Sequence, residues 1–293
     1  MIKHLITGGC SFSTFTDDTN WKGYLTQYLQ KVNPTMSYNH TGYNSQGQEL
    51  IQKKVMLAIT EALNAGYKSD EILVAVMWSG TFRKAWYIDN SKIIERMVKL
   101  WPNFKGGMCN QFLDLKNQGP EIPAYFKTAY GDDFVYNPDG GWYYTVNGSD
   151  CQMEFVQQHY DLDGWMNSGV GKVHISLENI VMLQNFCKLH GIQLVNQFFM
   201  DHVYQDFVDN QQHQIIGYLF QQLDKNMITE GMFEYLHKYL SVSRQGAGEL
   251  THDERKKLDA GRDIFNKDGF HPGAIGAKLW CEDVLIPFLE KQL

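Results

Sequence analysis

A chain of 293 residues with 43% apolar and 14% aromatic side chains carries enough apolar surface for a sizeable core and reads as an ordinary globular protein. Its net charge of −7, with no basic stripe, lacks the electrostatic footprint of a nucleic-acid partner. No uninterrupted apolar stretch reaches membrane-spanning length, and five cysteines without paired metal-ligand spacing indicate neither a zinc site nor a disulfide framework.

The opening residues Met1 to Ile6 run straight into a first strand, too soon interrupted for the apolar core of a signal peptide, and reduced thiols fit a cytoplasmic location. Leu5 to Ser13, Leu-Ile-Thr-Gly-Gly-Cys-Ser-Phe-Ser, is an apolar run that breaks into two glycines and a serine, the pattern of a strand ending in a tight turn. In an open α/β sheet, ligands bind outside the carboxyl ends of the strands, so Ser11 is a candidate nucleophile. Ser11 and Ser13 also suit a helix cap, and Cys10 is a minor alternative nucleophile.

Trp21 to Leu29 has helical spacing and forms the crossover from strand one. Leu50 to Ala65 repeats that period, and Glu71 to Trp78 is the clearest buried strand. From about 101 to 172 the pattern gives way to an aromatic-rich insertion, with a small hairpin expected around Gly140 to Val146. Its rings suit a minor core beneath a long loop, or the wall of a pocket.

Ser176 opens a periodic helix that runs to His190 and ends at Gly191, and Ile192 to Phe199 is the next strand. This rhythm predicts an α/β fold with a mostly parallel sheet. A second, helical insertion spans about 201 to 265, with helices near 211–223 and 228–240 and a capping box from Thr251 to Glu254. The whole, 1–293, reads as one domain with two insertions, either of which could form a lid.

Near the C-terminus, Asp268-Gly269-Phe270-His271-Pro272 sets a carboxylate three residues before an imidazole. A serine needs a base and the base an orienting group, so Ser11, His271 and Asp268 make a candidate triad. His174 and Glu178 lie one helical turn apart, but such pairs are mostly solvated surface, and no metal or other cofactor is implied. The glycines at Gly8 and Gly9 match no nucleotide-binding pattern.

Gly9-Cys10-Ser11-Phe12-Ser13 near the start, with Asp268 to Pro272 and a terminal helix over about Ala274 to Glu290, resembles the SGNH (GDSL-like) hydrolases. The resemblance lies in short blocks, with Cys10 where that family usually has aspartate. It implies a flavodoxin-like three-layer α/β/α sandwich and a serine esterase. It also implies an oxyanion-binding glycine after strand two, for which Gly47 is preferred over Gly42. The family's third block, Gly-x-Asn-Asp, is replaced here by Met77-Trp78-Ser79-Gly80-Thr81-Phe82-Arg83, which has no asparagine. Ser79 or Thr81 could substitute, and Arg83 fits either a core ion pair or an anchor for an acidic substrate.

The implied substrate is a small carboxylic ester, and the aromatic insertion leans towards an O-acetylated carbohydrate. Met77 to Gly80 with Gly9 to Phe12 also resembles a divergent SGNH-like group of bacteriophage proteins. That likeness raises an alternative: a catalytically weak or inactive binding module associated with a virion. An α/β-hydrolase is disfavoured, because Ser11 is not framed by Gly-x-Ser-x-Gly. Nothing in the sequence fixes an oligomeric state.

Overall fold

In the computed structural model of the chain, the residues described are 1–13, 19–42, 46–81, 83–88, 111–114, 142–146, 169–241, 251–259, 261–266 and 271–292, with backbone alone at 84–88, 111–114, 142–146, 241 and 252. The strands among them are β1 (His4–Gly9), β2 (Ser37–His40), β3 (Ile72–Trp78), β4 (Lys84–Ile88), β5 (Gln111–Asp114), β6 (Trp142–Val146) and β7 (Gln193–Phe198). Four of these form an all-parallel sheet in the order β2-β1-β3-β7. β3, Ile-Leu-Val-Ala-Val-Met-Trp, is buried at every position, as a central parallel strand covered on both faces must be. β2, Ser-Tyr-Asn-His, is polar and only partly covered, which fits the sheet edge.

Helices cover both faces in the three-layer, flavodoxin-like manner. α1 (Trp21–Val32) joins β1 to β2, α2 (Gln48–Asn64) joins β2 to β3, and α3 (Gly169–His190) leads into β7. Gly8 faces α2 closely: a Cβ there would lie 2.5 Å from a Val55 methyl. Thr7, on the opposite face by strand alternation, meets His40, which in turn touches Thr26 of α1. α2 packs beside α3 on the first face. An isolated parallel bridge from Asn196 to Ile228 brings a further segment alongside β7.

Local chemistry explains the element ends. The Asn20 side chain accepts from the Lys22 and Gly23 N–H groups and starts α1. Gly191, at φ +67°, turns the chain out of α3 in the left-handed region that glycine tolerates best.

Several expectations shift. α3 begins at Gly169, not Ser176, because Val173 extends the buried stripe of Leu177, Ile180 and Val181 backwards; Gly169 and Gly171 had disguised this turn. The helix thus takes in residues 169–172, at the edge of the aromatic segment. β6 is a strand, as expected near Gly140 to Val146, but not half of a tight hairpin: it is central in a three-stranded antiparallel sheet, β4-β6-β5. β4 belongs to that sheet although it precedes 101. The rest of 101–168 lies outside the described residues.

Downstream come α4 (Asp201–Asp209), which adds to the two helices expected there, α5 (Gln214–Gln222), α6 (Met232–Ser241) and α7 (His252–Asp259). The terminal helix is α8 (Ala274–Trp280), a π turn Cys281–Leu285 and α9 (Ile286–Glu290). The wider turn ends two residues before Pro287, which has no N–H to donate. α1 and α8 lie together, with the Trp21 and Trp280 rings 6.4 Å apart, edge to face. Among the described residues no helix is long and apolar enough to cross a membrane.

Candidate active site

The turn that carries Ser11 is set by crowding at the end of β1. A Cβ on Gly9 would overlap the Ser13 hydroxyl and sit 2.9 Å from the Met77 carbonyl, so only glycine lets the chain fold back there. Ser11–Ser13 then forms one 3-10 turn, closed by the Ser13 N–H donating to Cys10 O at 2.8 Å. The Ser13 hydroxyl accepts from Trp21 Nε1 at 3.0 Å and is fully buried. Ser11 keeps 9% of its surface, and Cys10 lies in the hydrophobic core. Of Cys10, Ser11 and Ser13, Ser11 keeps the most exposure, and its hydroxyl meets a basic side chain.

That partner comes from the other end of the chain. The Asn266 N–H donates to His271 O at 2.8 Å and the Gly273 N–H to Ile264 O at 2.9 Å, with Phe265 bridged to Pro272. Asp263 fastens the base of the loop: its carboxylate accepts from the Ala274 N–H at 3.0 Å and its carbonyl from the Gly276 N–H at 3.2 Å. A Cβ on Gly273 or Gly276 would overlap the Asp263 or Ile264 backbone, so the start of α8 approaches that backbone as closely as glycine allows. The His271 ring packs 5.0 Å from Phe12, which itself lies 4.9 Å from Phe199 at the end of β7. His271 Nε2 is thereby held 2.9 Å from Ser11 Oγ. Asp268 lies outside the described residues.

The remaining site candidates sit on neighbouring strand ends. A Cβ on Gly42 would lie 2.8 Å from Ser13 Cβ and 3.3 Å from Gly9 O, so the exit from β2 rests on the turn at Ser11–Ser13. Gly47 is the N-cap of α2, which has no side-chain cap. Gly9 and Met77 are the last register pair of β1 and β3, and Ser11 and Ser79 each follow two residues later. Adjacent strands lie about 4.8 Å apart, so the two serines belong to one end of the sheet.

Ser79 is fully buried, and its hydroxyl has no hydrogen-bond partner among the described residues. The Thr81 hydroxyl donates to Asp206 Oδ2 at 2.9 Å, which commits its proton to α4. Arg83 is half-buried and its N–H donates to Gly80 O at 3.2 Å. Sequence reasoning missed Gln48, whose side chain reaches Ser79 from α2, and Phe12 and Trp21, which seat the two halves of the site. Trp21 had one visible sign, its place at the start of a helix directly after the serine turn.

Two thiols are chemically quiet: burial raises Cys187 to about 12 and, with the Glu282 carboxylate adding to it, pushes Cys281 higher. Among the described residues no group of three or more His, Cys, Asp or Glu side chains could hold a metal ion.

No family model, no curated protein and no solved structure matches this chain. A role for Ser11 and His271 therefore rests on their own geometry.

Proposed function

We propose that the protein is a serine ester hydrolase of SGNH-like type acting on a small carboxylic ester, with O-acetylated carbohydrates the first substrates to try. The observation that carries this reading is the 2.9 Å contact between Ser11 Oγ and His271 Nε2 at the carboxyl end of a parallel sheet. Ser11 Oγ attacks the ester carbonyl while His271 Nε2 takes its proton. The tetrahedral oxyanion is stabilised by the Ser11 and Gly47 N–H groups together with the Ser79 hydroxyl. His271 returns the proton to the leaving alcohol, then activates the water that releases the acid and frees Ser11. Asp268, three residues before His271, is assigned to hold the imidazole tautomer.

The test is intact mass after fluorophosphonate treatment, with peptide mapping, on wild type, Ser11→Ala and His271→Ala. A single adduct on Ser11, lost in both variants, is the expected result, with ester turnover reduced roughly 10⁴-fold or more in each. An unlabelled wild type, or an adduct on Cys10 or Ser13, overturns the mechanism. The second reading, a weak or inactive binding module of a phage virion, is favoured by one observation: Thr81, a possible stand-in for the family asparagine, spends its hydroxyl on Asp206. An unlabelled wild type would favour that reading.

A further inference from the structure

The segment Gln46-Gly47-Gln48 buries two glutamines on either side of one glycine, with 0% and 1% of their surfaces exposed. Glutamine is rarely buried so completely unless its amide is used, and here each amide grips a different strand end. Gln46 Nε2 donates to Thr41 O at 3.2 Å, just beyond β2. Thr41 is itself pinned to β1, its N–H and hydroxyl both donating to Thr7 O at 2.8 and 3.0 Å. Gln48 makes a two-point bond to Ser79 just beyond β3: Oε1 accepts the Ser79 N–H at 3.1 Å, and Nε2 donates to Ser79 O.

Gly47 thus sits between two side-chain ties that fix it relative to both neighbours of the Ser11 strand. It is also the N-cap of a 17-residue helix and, as glycine, brings no side chain to bond the first-turn N–H groups. The N–H end of a helix carries partial positive charge and favours an anion. Ser79, held by the same clamp, contributes a buried hydroxyl without a partner among the described residues.

We infer that Gln46 and Gln48 are positioning residues that lock Gly47 and Ser79 into an oxyanion site facing Ser11. Gln48 holds in place from α2 a strand end that has Ser79 and no asparagine. This rests on the esterase reading above. Gln48 carries the larger share because it makes two bonds to Ser79, where Gln46 makes one to Thr41.

The experiment compares p-nitrophenyl acetate with its thionoester on wild type, Gln48→Met, Gln46→Met and Gln48→Glu, with the thermal midpoint of each. Methionine keeps the length of the side chain and removes its hydrogen bonds. Gln48→Glu keeps the acceptor for the Ser79 N–H, and so serves if the methionine variant does not fold. A hole that stabilises developing negative charge on oxygen discriminates against sulfur in its place, whereas a general loosening of the fold slows both substrates alike.

The expected result for Gln48→Met is kcat on the oxygen ester lowered about 10²-fold with KM within about twofold, and an oxygen-to-sulfur rate ratio lowered about tenfold. Gln46→Met should move the same ratio less. An unchanged ratio in a folded Gln48 variant overturns the inference while leaving the esterase intact, as does an equal loss on both substrates. A wild type inactive on both substrates overturns this inference and the esterase reading together.

Discussion

Two serines separated by one phenylalanine have opposite fates, and the difference is where their lone pairs go. Ser13 gives its oxygen to Trp21 and is sealed in; Ser11 faces an imidazole. His40, a residue outside the Ser11–His271 pair, shows the same local logic. The Thr26 hydroxyl donates to Lys22 O at 2.7 Å, so its 3.4 Å contact with His40 Nε2 needs the ring N–H as donor. In the neutral ring the proton therefore sits on Nε2, and Nδ1 accepts from Thr7 Oγ1 at 2.7 Å. Burial, reinforced by the Lys22 ammonium, lowers it from 6.5 to about 3. Between those values the unfolded chain takes a proton that the folded chain refuses. Stability from this residue is therefore full above about pH 6.5 and falls as the pH drops towards 3, by up to about 1.4 kcal/mol per unit. His4, lowered by burial, acts in the same direction. Urea midpoints measured from pH 7.5 to 4.5 should fall on acidification in wild type and less steeply in His40→Gln. Parallel curves for the two proteins would show that His40 is not the proton acceptor.

At the level of elements, local pattern and tertiary contact divide what could be read from the chain. β1, β3 and β7 were visible because buried parallel strands are continuous apolar runs, and α1 and α2 because their apolar positions recur every three or four residues. The Thr251 capping box is made as its spacing implies, with the Glu254 N–H donating to Thr251 Oγ1 at 3.3 Å and the Thr251 N–H to Glu254 Oε2 at 2.9 Å. The β4-β6-β5 sheet was not visible, since its short strands find partners far along the chain and no local period encodes that pairing. The Gln48 clamp was equally hidden: an amide's choice of backbone partner leaves no repeat behind.

Glycines separate two kinds of element boundary and permit a paired test. Gly191 has open space around it and needs only its φ of +67°, so Gly191→Ala should cost about 1 kcal/mol and leave fluorophosphonate labelling of Ser11 unchanged. A methyl on Gly276 must instead displace Ile264, the residue bonded to Gly273 in the loop that carries His271. Misplacement of a reacting group by about 1 Å can cost roughly 10²-fold in rate. Gly276→Ala should therefore slow labelling at least tenfold while the parallel sheet, followed by circular dichroism, persists. Equal labelling rates in the two variants would mean that α8 does not set the position of His271.

Across the whole molecule, Ser11 and His271 are separated by 260 positions in sequence and joined by one core. The link is continuous: Ser13 bonds Trp21 of α1, Trp21 meets Trp280 of α8 edge to face, and Trp280 Nε1 donates to Glu230 O at 3.2 Å. Near the other end of α1, the Tyr28 hydroxyl donates to Glu290 of α9 at 2.6 Å. Trp21, Trp280, Cys281, Leu285 and Leu289 all belong to the hydrophobic cluster that contains β1 and β3. The C-terminal segment is thus part of the main core, and releasing it would expose two fully buried tryptophans. Each large aromatic ring removed from water contributes on the order of 2–3 kcal/mol, so detachment of that segment alone is disfavoured relative to cooperative unfolding. Labelling of Ser11 should then vanish over the same urea range as tryptophan fluorescence changes, with one midpoint for both probes. If labelling were lost at clearly lower urea, α8 and α9 would have separated from an otherwise folded sheet, and the Trp21–Trp280 contact would be too weak to keep the histidine beside the serine.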